Sequence, residues 1–162
     1  AFFKPNSSNH GTLIASLSMM WFGGKGMSRS EVKDPVPLVV FDHPCLFRHA
    51  AFQALEGNTL RWRLSLTTPS LPGVWAALLS GYGISPRTGH CVPSGIRDVG
   101  AEFGLPSLPA VELRMLTASQ LSPAASDLRD ALYQVVQKRV SENIVEPRKA
   151  SKLQNEKRAA QR

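Results

Sequence analysis

The sequence has little cysteine, few aromatic residues and no long hydrophobic run, and each scarcity excludes something. Its longest apolar stretches, Leu38 to Phe41 and Val74 to Leu79, fall far short of the roughly 20 residues a membrane-spanning helix requires. Cys45 and Cys91 are the only cysteines. They form neither the CxxC spacing of a zinc site nor the density of a disulfide scaffold, so two free thiols in a reducing compartment are expected. The four histidines, His10, His43, His49 and His90, show no metal-ligand spacing, and neither a metal nor a cofactor is expected. The glycine groups Gly23-Gly24-Lys25-Gly26 and Gly81-Tyr82-Gly83 lack the full dinucleotide or phosphate-loop pattern and are expected as turns. The start, Ala1-Phe2-Phe3-Lys4-Pro5, carries neither an initiator Met nor the basic and apolar regions of a secretion signal, and the expectation is a piece of a longer chain, the alternative being a leader already removed.

What is present is an ordinary globular composition. Over 162 residues, 43% are hydrophobic and 19% charged, enough apolar material for one packed domain and far from a disordered profile. The net charge of +7 suggests a polyanion partner until it is located. Residues 147–162 alone carry +5, and the remaining body is nearly neutral at +2. Basicity therefore belongs to the tail, which lacks aromatics for base stacking and is expected to be a solvated extension.

Along the chain, Leu13 to Phe22 ends in a continuous apolar run closed by Gly23-Gly24, which predicts a short buried strand and a turn. Leu38-Val39-Val40-Phe41 is apolar without alternation, as expected for a strand covered on both faces. Asp42-His43-Pro44 stops it, and Leu46 to Leu55 spaces its apolar residues for one helical face, ended by Gly57-Asn58. The unit repeats with a strand at Trp62 to Thr67, a break at Thr68-Pro69-Ser70, a helix at Gly73 to Leu79 and a short strand at Gly83-Ile84-Ser85. Strand-helix alternation of this kind predicts parallel strands in a doubly wound α/β layer. Trp21, Val39, Phe41, Leu64, Leu66 and Ile84 are its expected core. Gly95 to Val99 and Val111 to Leu116 are further strand candidates. Finally, Ser122-Pro123 starts a helix reaching Val140, with Leu128, Leu132, Val135, Val136 and Val140 as its apolar face.

In such a sheet, ligands collect at the carboxyl ends of the strands, where helices begin. Two junctions qualify, Asp42 to Arg48 and Thr67 to Gly73. Each offers backbone N–H groups at a helix N-terminus, a favourable place for an anion. Cys45, Phe47 and Arg48 at the first, and Thr68, Ser70 and Leu71 at the second, are the candidate binding residues. The plainer alternative is that Ser70 only caps its helix and Arg48 lies along the surface. His43 and Cys45 also invite a base-and-nucleophile reading, but no orienting acid is identifiable.

The ordered segments Pro37-Leu38-Val39-Val40-Phe41 with Cys45-Leu46-Phe47-Arg48, Trp62-Arg63, Thr68-Pro69-Ser70-Leu71-Pro72-Gly73-Val74, Gly81-Tyr82-Gly83-Ile84-Ser85-Pro86-Arg87 and Pro106-Ser107-Leu108-Pro109 with Glu112-Leu113 resemble the effector-binding domain of LysR-type transcriptional regulators. The likeness is greatest to the subgroup that represses motility and secreted-enzyme genes, and it covers roughly residues 1–140. It implies a periplasmic-binding-protein-like (type 2) fold in which two Rossmann-like subdomains clamp a small effector, the first subdomain being incomplete here. By that likeness residues 1–17 are the end of the first subdomain and its crossover. Residues 18–84 are the second subdomain, 85–140 the return to the first with a C-terminal helix, and 141–162 a basic tail. Closure would hinge near Phe3 and Pro86.

The resemblance also implies a cytoplasmic protein that is not an enzyme. Its effector is a small, anionic metabolite, its full-length form is a homo-oligomer, and it reaches promoter DNA only through an N-terminal helix-turn-helix that this chain does not include. The alternatives left open are a small α/β enzyme using Cys45 and a basic-tailed nucleic-acid-binding fragment.

Overall fold

The computed structural model describes residues 2–5, 11–32 and 34–142, so His10 and the basic segment 147–162 lie outside the described residues. The elements run β1 (Phe2–Pro5), β2 (Thr12–Gly24), a 3-10 turn (Arg29–Glu31), β3 (Val36–Phe41), α1 (Leu46–Gly57), β4 (Trp62–Thr68), α2 (Leu71–Leu79), β5 (Ser85–Thr88), β6 (Ile96–Asp98), α3 (Gly100–Phe103), β7 (Ala110–Met115) and α4 (Pro123–Glu142). The short helix α3 has no counterpart among the elements expected from the sequence.

β3 and β4 pair in parallel, with Leu38 opposite Leu64 and Phe41 opposite Thr68. The unalternated β3 is covered on both faces, as its sequence requires. Leu38 and Val40 pack with Ala51 and Leu55 of α1, while Val39 packs with Val74, Ala77 and Leu78 of α2. On the other side of β3, Leu38 forms a parallel bridge with Ile84, held by Val39 N donating to Ile84 O at 2.9 Å and Ile84 N donating to Pro37 O at 2.9 Å. That bridge joins the parallel pair to the rest of the fold.

The other strands are antiparallel to their neighbours, which corrects the expectation of a parallel layer throughout residues 18–84. β2 is 13 residues long and changes partners along its length. Its first half pairs with β7 over Thr12 to Ser18, Met19 to Phe22 pair with β5, and Phe22 to Gly24 pair with β6. β1 pairs with the far side of β7. A strand that exchanges neighbours midway carries the chain from one part of the fold to the other.

Two core expectations fail for a shared reason. Leu64 and Leu66 are 41% and 36% exposed rather than buried, because β4 is an edge strand that, among the described residues, has a strand neighbour on one side only. Phe41, at the end of β3, is half-buried. Along α4, Leu128, Leu132 and Val135 face solvent, and the helix instead rests on the β2–β7 sheet through Tyr133, Val136 and Val140. Its start is as expected, with Ser122 Oγ accepting from Ala125 N at 3.3 Å.

Candidate functional site

The register of β3 and β4 decides where the two candidate junctions lie. Since Phe41 and Thr68 are paired, both strands end side by side, and the helices that follow them start from one edge of the sheet. α1 and α2 then diverge to opposite faces of β3. Their N-termini differ in chemistry. Ser70 caps α2, its Oγ accepting from Gly73 N at 3.3 Å, while Thr68 Oγ1 accepts from Ser70 N at 3.2 Å. A Cβ on Gly73 would lie 2.8 Å from Thr68 Oγ1, so a larger residue there would displace that hydroxyl. Leu71 is exposed. Cys45 occupies the capping position of α1 with extended backbone, yet its side chain makes no capping bond. Helix N-termini present N–H groups without intrahelical acceptors, and at α1 no residue's side chain at the cap position takes that role.

Arg48 Nη1 donates to Phe41 O at 3.4 Å, and its guanidinium lies 5.2 Å from the Phe52 ring centre. It therefore ties the first turn of α1 to the end of β3. A cavity of about 330 Å³ beside this turn is lined by His43, Pro44, Cys45, Leu46, Arg48, His49 and Phe52. It includes Cys45 and Arg48 of the six candidate binding residues, and not Phe47, Thr68, Ser70 or Leu71. His43 and Cys45 share this wall, and among the described residues no hydrogen bond links them to an acid. Among the described residues, no three His, Cys, Asp or Glu side chains converge as metal ligands.

Arg87, on β5, is the site residue that sequence reasoning missed. Its guanidinium lies 4.0 Å from the centre of the Phe41 ring and 5.2 Å from that of Phe47, which brings it to the end of β3 and the start of α1. Among the described residues, Nε is buried with no hydrogen-bond partner and Arg87 forms no ion pair. Burial lowers its pKa to about 10, partly offset by nearby Cys45. The sequence carried one usable signal. Arg87 follows Ser85-Pro86 in a strand whose alternation turns positions 85 and 87 to one face.

Of the two expected hinge positions, Phe3 pairs with Leu113 in β1–β7. Pro86 is fully buried in β5 opposite Trp21 of β2. β5 and the second half of β2 thus run together where β2 changes partners.

Comparison with known proteins adds kinship to this geometry. No family model matches the chain. Over 76 residues, 47% of this chain, it is 37% identical to the HTH-type transcriptional regulator PecT of Dickeya dadantii, covering 24% of that protein. Over 111 residues, 68% of this chain, it is 29% identical to the HTH-type transcriptional regulator DgdR of Burkholderia cepacia, covering 37% of that protein. The chain thus spans well under half the length of these relatives.

Among solved structures, the regulatory domain of HypT from Salmonella typhimurium (an M206Q mutant) superposes with a TM-score of 0.60 at 12% identity, over 84% of this chain and 73% of that one. The Synechocystis CcmR regulatory domain in complex with 2-PG gives 0.54 at 14% identity, over 82% and 71%. The effector-binding domain of QuiR in complex with shikimate gives 0.51 at 10% identity, over 84% and 71%. Full-length HypT is described as a LysR-type transcriptional regulator. The described residues have the fold of a LysR-type regulatory domain.

Proposed function

We propose that this chain, a relative of the LysR-type transcriptional regulators, is the effector-sensing part of such a regulator. It binds a small anionic metabolite in a crevice between subdomains and thereby modulates promoter binding by an N-terminal helix-turn-helix. The observation that carries this reading is the pairing of Phe41 with Thr68, which gathers two strand ends and two helix starts at one edge, the arrangement in which open α/β sheets take ligands. Residues 18–84 form the second subdomain and 85–140 return to the first, with closure about Phe3 and Pro86 shifting the population between two arrangements. The complexes of CcmR with 2-PG and QuiR with shikimate support a small-molecule ligand for this fold. The full-length regulator acts in the cytoplasm as a homo-oligomer.

The ligand meets Cys45, Phe47 and Arg48 at the start of α1, and Thr68, Ser70 and Leu71 at the junction of β4 and α2. Ser70 already caps α2, so its variant must separate the two roles. Ser70→Ala is expected to lower stability by about 1 kcal/mol, whereas Ser70→Gly costs only a few tenths. In the full-length regulator, with effector-dependent reporter output as the measurement, both variants and Arg48→Ala should raise the effector concentration needed for half-response. An unchanged response in all three removes these residues from the pocket, and Ser70 is then a helix cap alone.

A further inference from the structure

Among the described residues, two buried polar atoms on β5 lack partners, Ser85 Oγ and Arg87 Nε. They belong to residues two apart on a strand and so face the same side. Their register partners on β2, Phe22 and Met20, both belong to the apolar cluster between the sheet and α2. Ser85 is only 1% exposed. Buried polar groups in folded proteins are nearly always hydrogen-bonded, so Arg87 Nε, on a guanidinium at the end of β3, calls for an acceptor.

We propose that Arg87 is the charge anchor of the effector site and that the group it takes is an oxyanion, a carboxylate or a phosphate, at the meeting point of β5, the end of β3 and the start of α1. The proposal rests on the effector-sensing reading above, which nominated helix N-termini and did not include this residue. Its geometry is specific. A guanidinium engages aromatic rings through its face, whereas its five N–H donors lie in its plane. Phe41 at 4.0 Å and Phe47 at 5.2 Å lie against the group, and among the described residues its Nε–H has no acceptor. No carboxylate among the described residues pairs with it, unlike Arg97, which bonds Glu102, and Arg114, which bonds Glu112 at 2.6 Å. A planar cation with an unused in-plane donor suits bidentate recognition of an oxyanion. The first turn of α1, which has no side-chain cap from Cys45 and brings Phe47 to within 5.2 Å of the guanidinium, adds positive potential nearby. Burial without a counter-ion also lowers the Arg87 pKa to about 10, and a bound anion would reverse that shift.

The test uses the complete 162-residue chain, labelled with nitrogen-15, at constant ionic strength. Inorganic phosphate and benzoate serve as separate probes, and the readouts are the Arg87 Nε–H resonance and the thermal midpoint. At millimolar concentration at least one probe should shift the resonance saturably and raise the midpoint by several degrees. The probe that saturates first identifies the phosphate or carboxylate source. Arg87→Met, which keeps an unbranched side chain against the two rings, should fold and lose the stabilisation, while Arg87→Lys should weaken it by about tenfold.

A resonance unmoved by either probe overturns the proposal, as does an equal stabilisation of wild type and Arg87→Met. If Arg87→Met fails to fold, the resonance in the unaltered chain decides. The effector-sensing reading fails separately, through the reporter response of the full-length regulator. Retention of that response by Arg87→Met would leave sensing intact and remove the anchor.

Discussion

Gly83→Ala is expected to destabilise the fold by about 3 kcal/mol or more, enough to remove much of the stability of a typical domain. A Cβ built on Gly83 lies 2.5 Å from Pro37 O and 3.0 Å from the Pro37 carbonyl carbon. Both obstacles are backbone, so no side chain can rotate away to make room. The same Pro37 O accepts from Ile84 N at 2.9 Å, in the bridge that joins the β3–β4 pair to the remainder of the sheet. Relief of the clash must therefore open that joint. Denaturant titration should give the loss of stability, and hydrogen exchange should quicken first at the amides of Val39 and Ile84, the two donors across the bridge. Gly26→Ala is the control, since a Cβ there has no atom within 4 Å, and its expected change stays within about 0.5 kcal/mol.

The sequence made β3 legible because burial on both faces has a direct signature. A strand with helices on each side cannot alternate, and Leu38 to Phe41 does not. The two helix starts were equally legible, since Ser70 and Ser122 sit where a capping hydroxyl is needed and both make the bond. β4 misled for a physical reason. Leu64 and Leu66 resemble core residues, but burial at a sheet edge depends on whether another strand follows laterally, and local sequence does not encode that. The same limitation applies to α4, whose apolar positions exceed what one sheet covers, leaving Leu128 60% exposed.

Partner exchange along β2 was also invisible, because apolar runs report burial and not the direction of the neighbouring strand. At the candidate site, the strand-to-helix junctions follow from the chain's local pattern, whereas Arg87 does not. Its position depends on Phe41 and Phe47, distant in sequence, closing on either side of a charge that composition alone would place on the surface. The chemistry of the pocket is thus read in two stages. Local sequence locates the helix starts, and tertiary packing determines which cation turns toward them.

Phe22→Ala is expected to cost about 4 kcal/mol, within the range for removing a buried aromatic side chain. Phe22 has 0% exposure and occupies the one residue of β2 paired on both edges, with Ser85 of β5 and with Asp98 of β6. Its ring packs edge-on against Trp75 of α2, with centroids 6.5 Å apart and an interplanar angle of 88°. Truncation leaves a void between sheet and helix that neither can close readily, because β2 is clamped laterally by two strands and α2 approaches it closely at Gly24. There, a Cβ would lie 2.5 Å from Leu78 O. The lost transfer energy and the retained cavity therefore add.

Phe22→Leu fills most of that volume and should cost about 1–1.5 kcal/mol. Leu128→Ala, on the exposed face of α4, should change stability by less than about 0.5 kcal/mol. Calorimetry or denaturant titration of the three variants checks the order. Equal losses for Phe22→Ala and Leu128→Ala would mean that the cluster joining β2 to α2 does not hold the fold together.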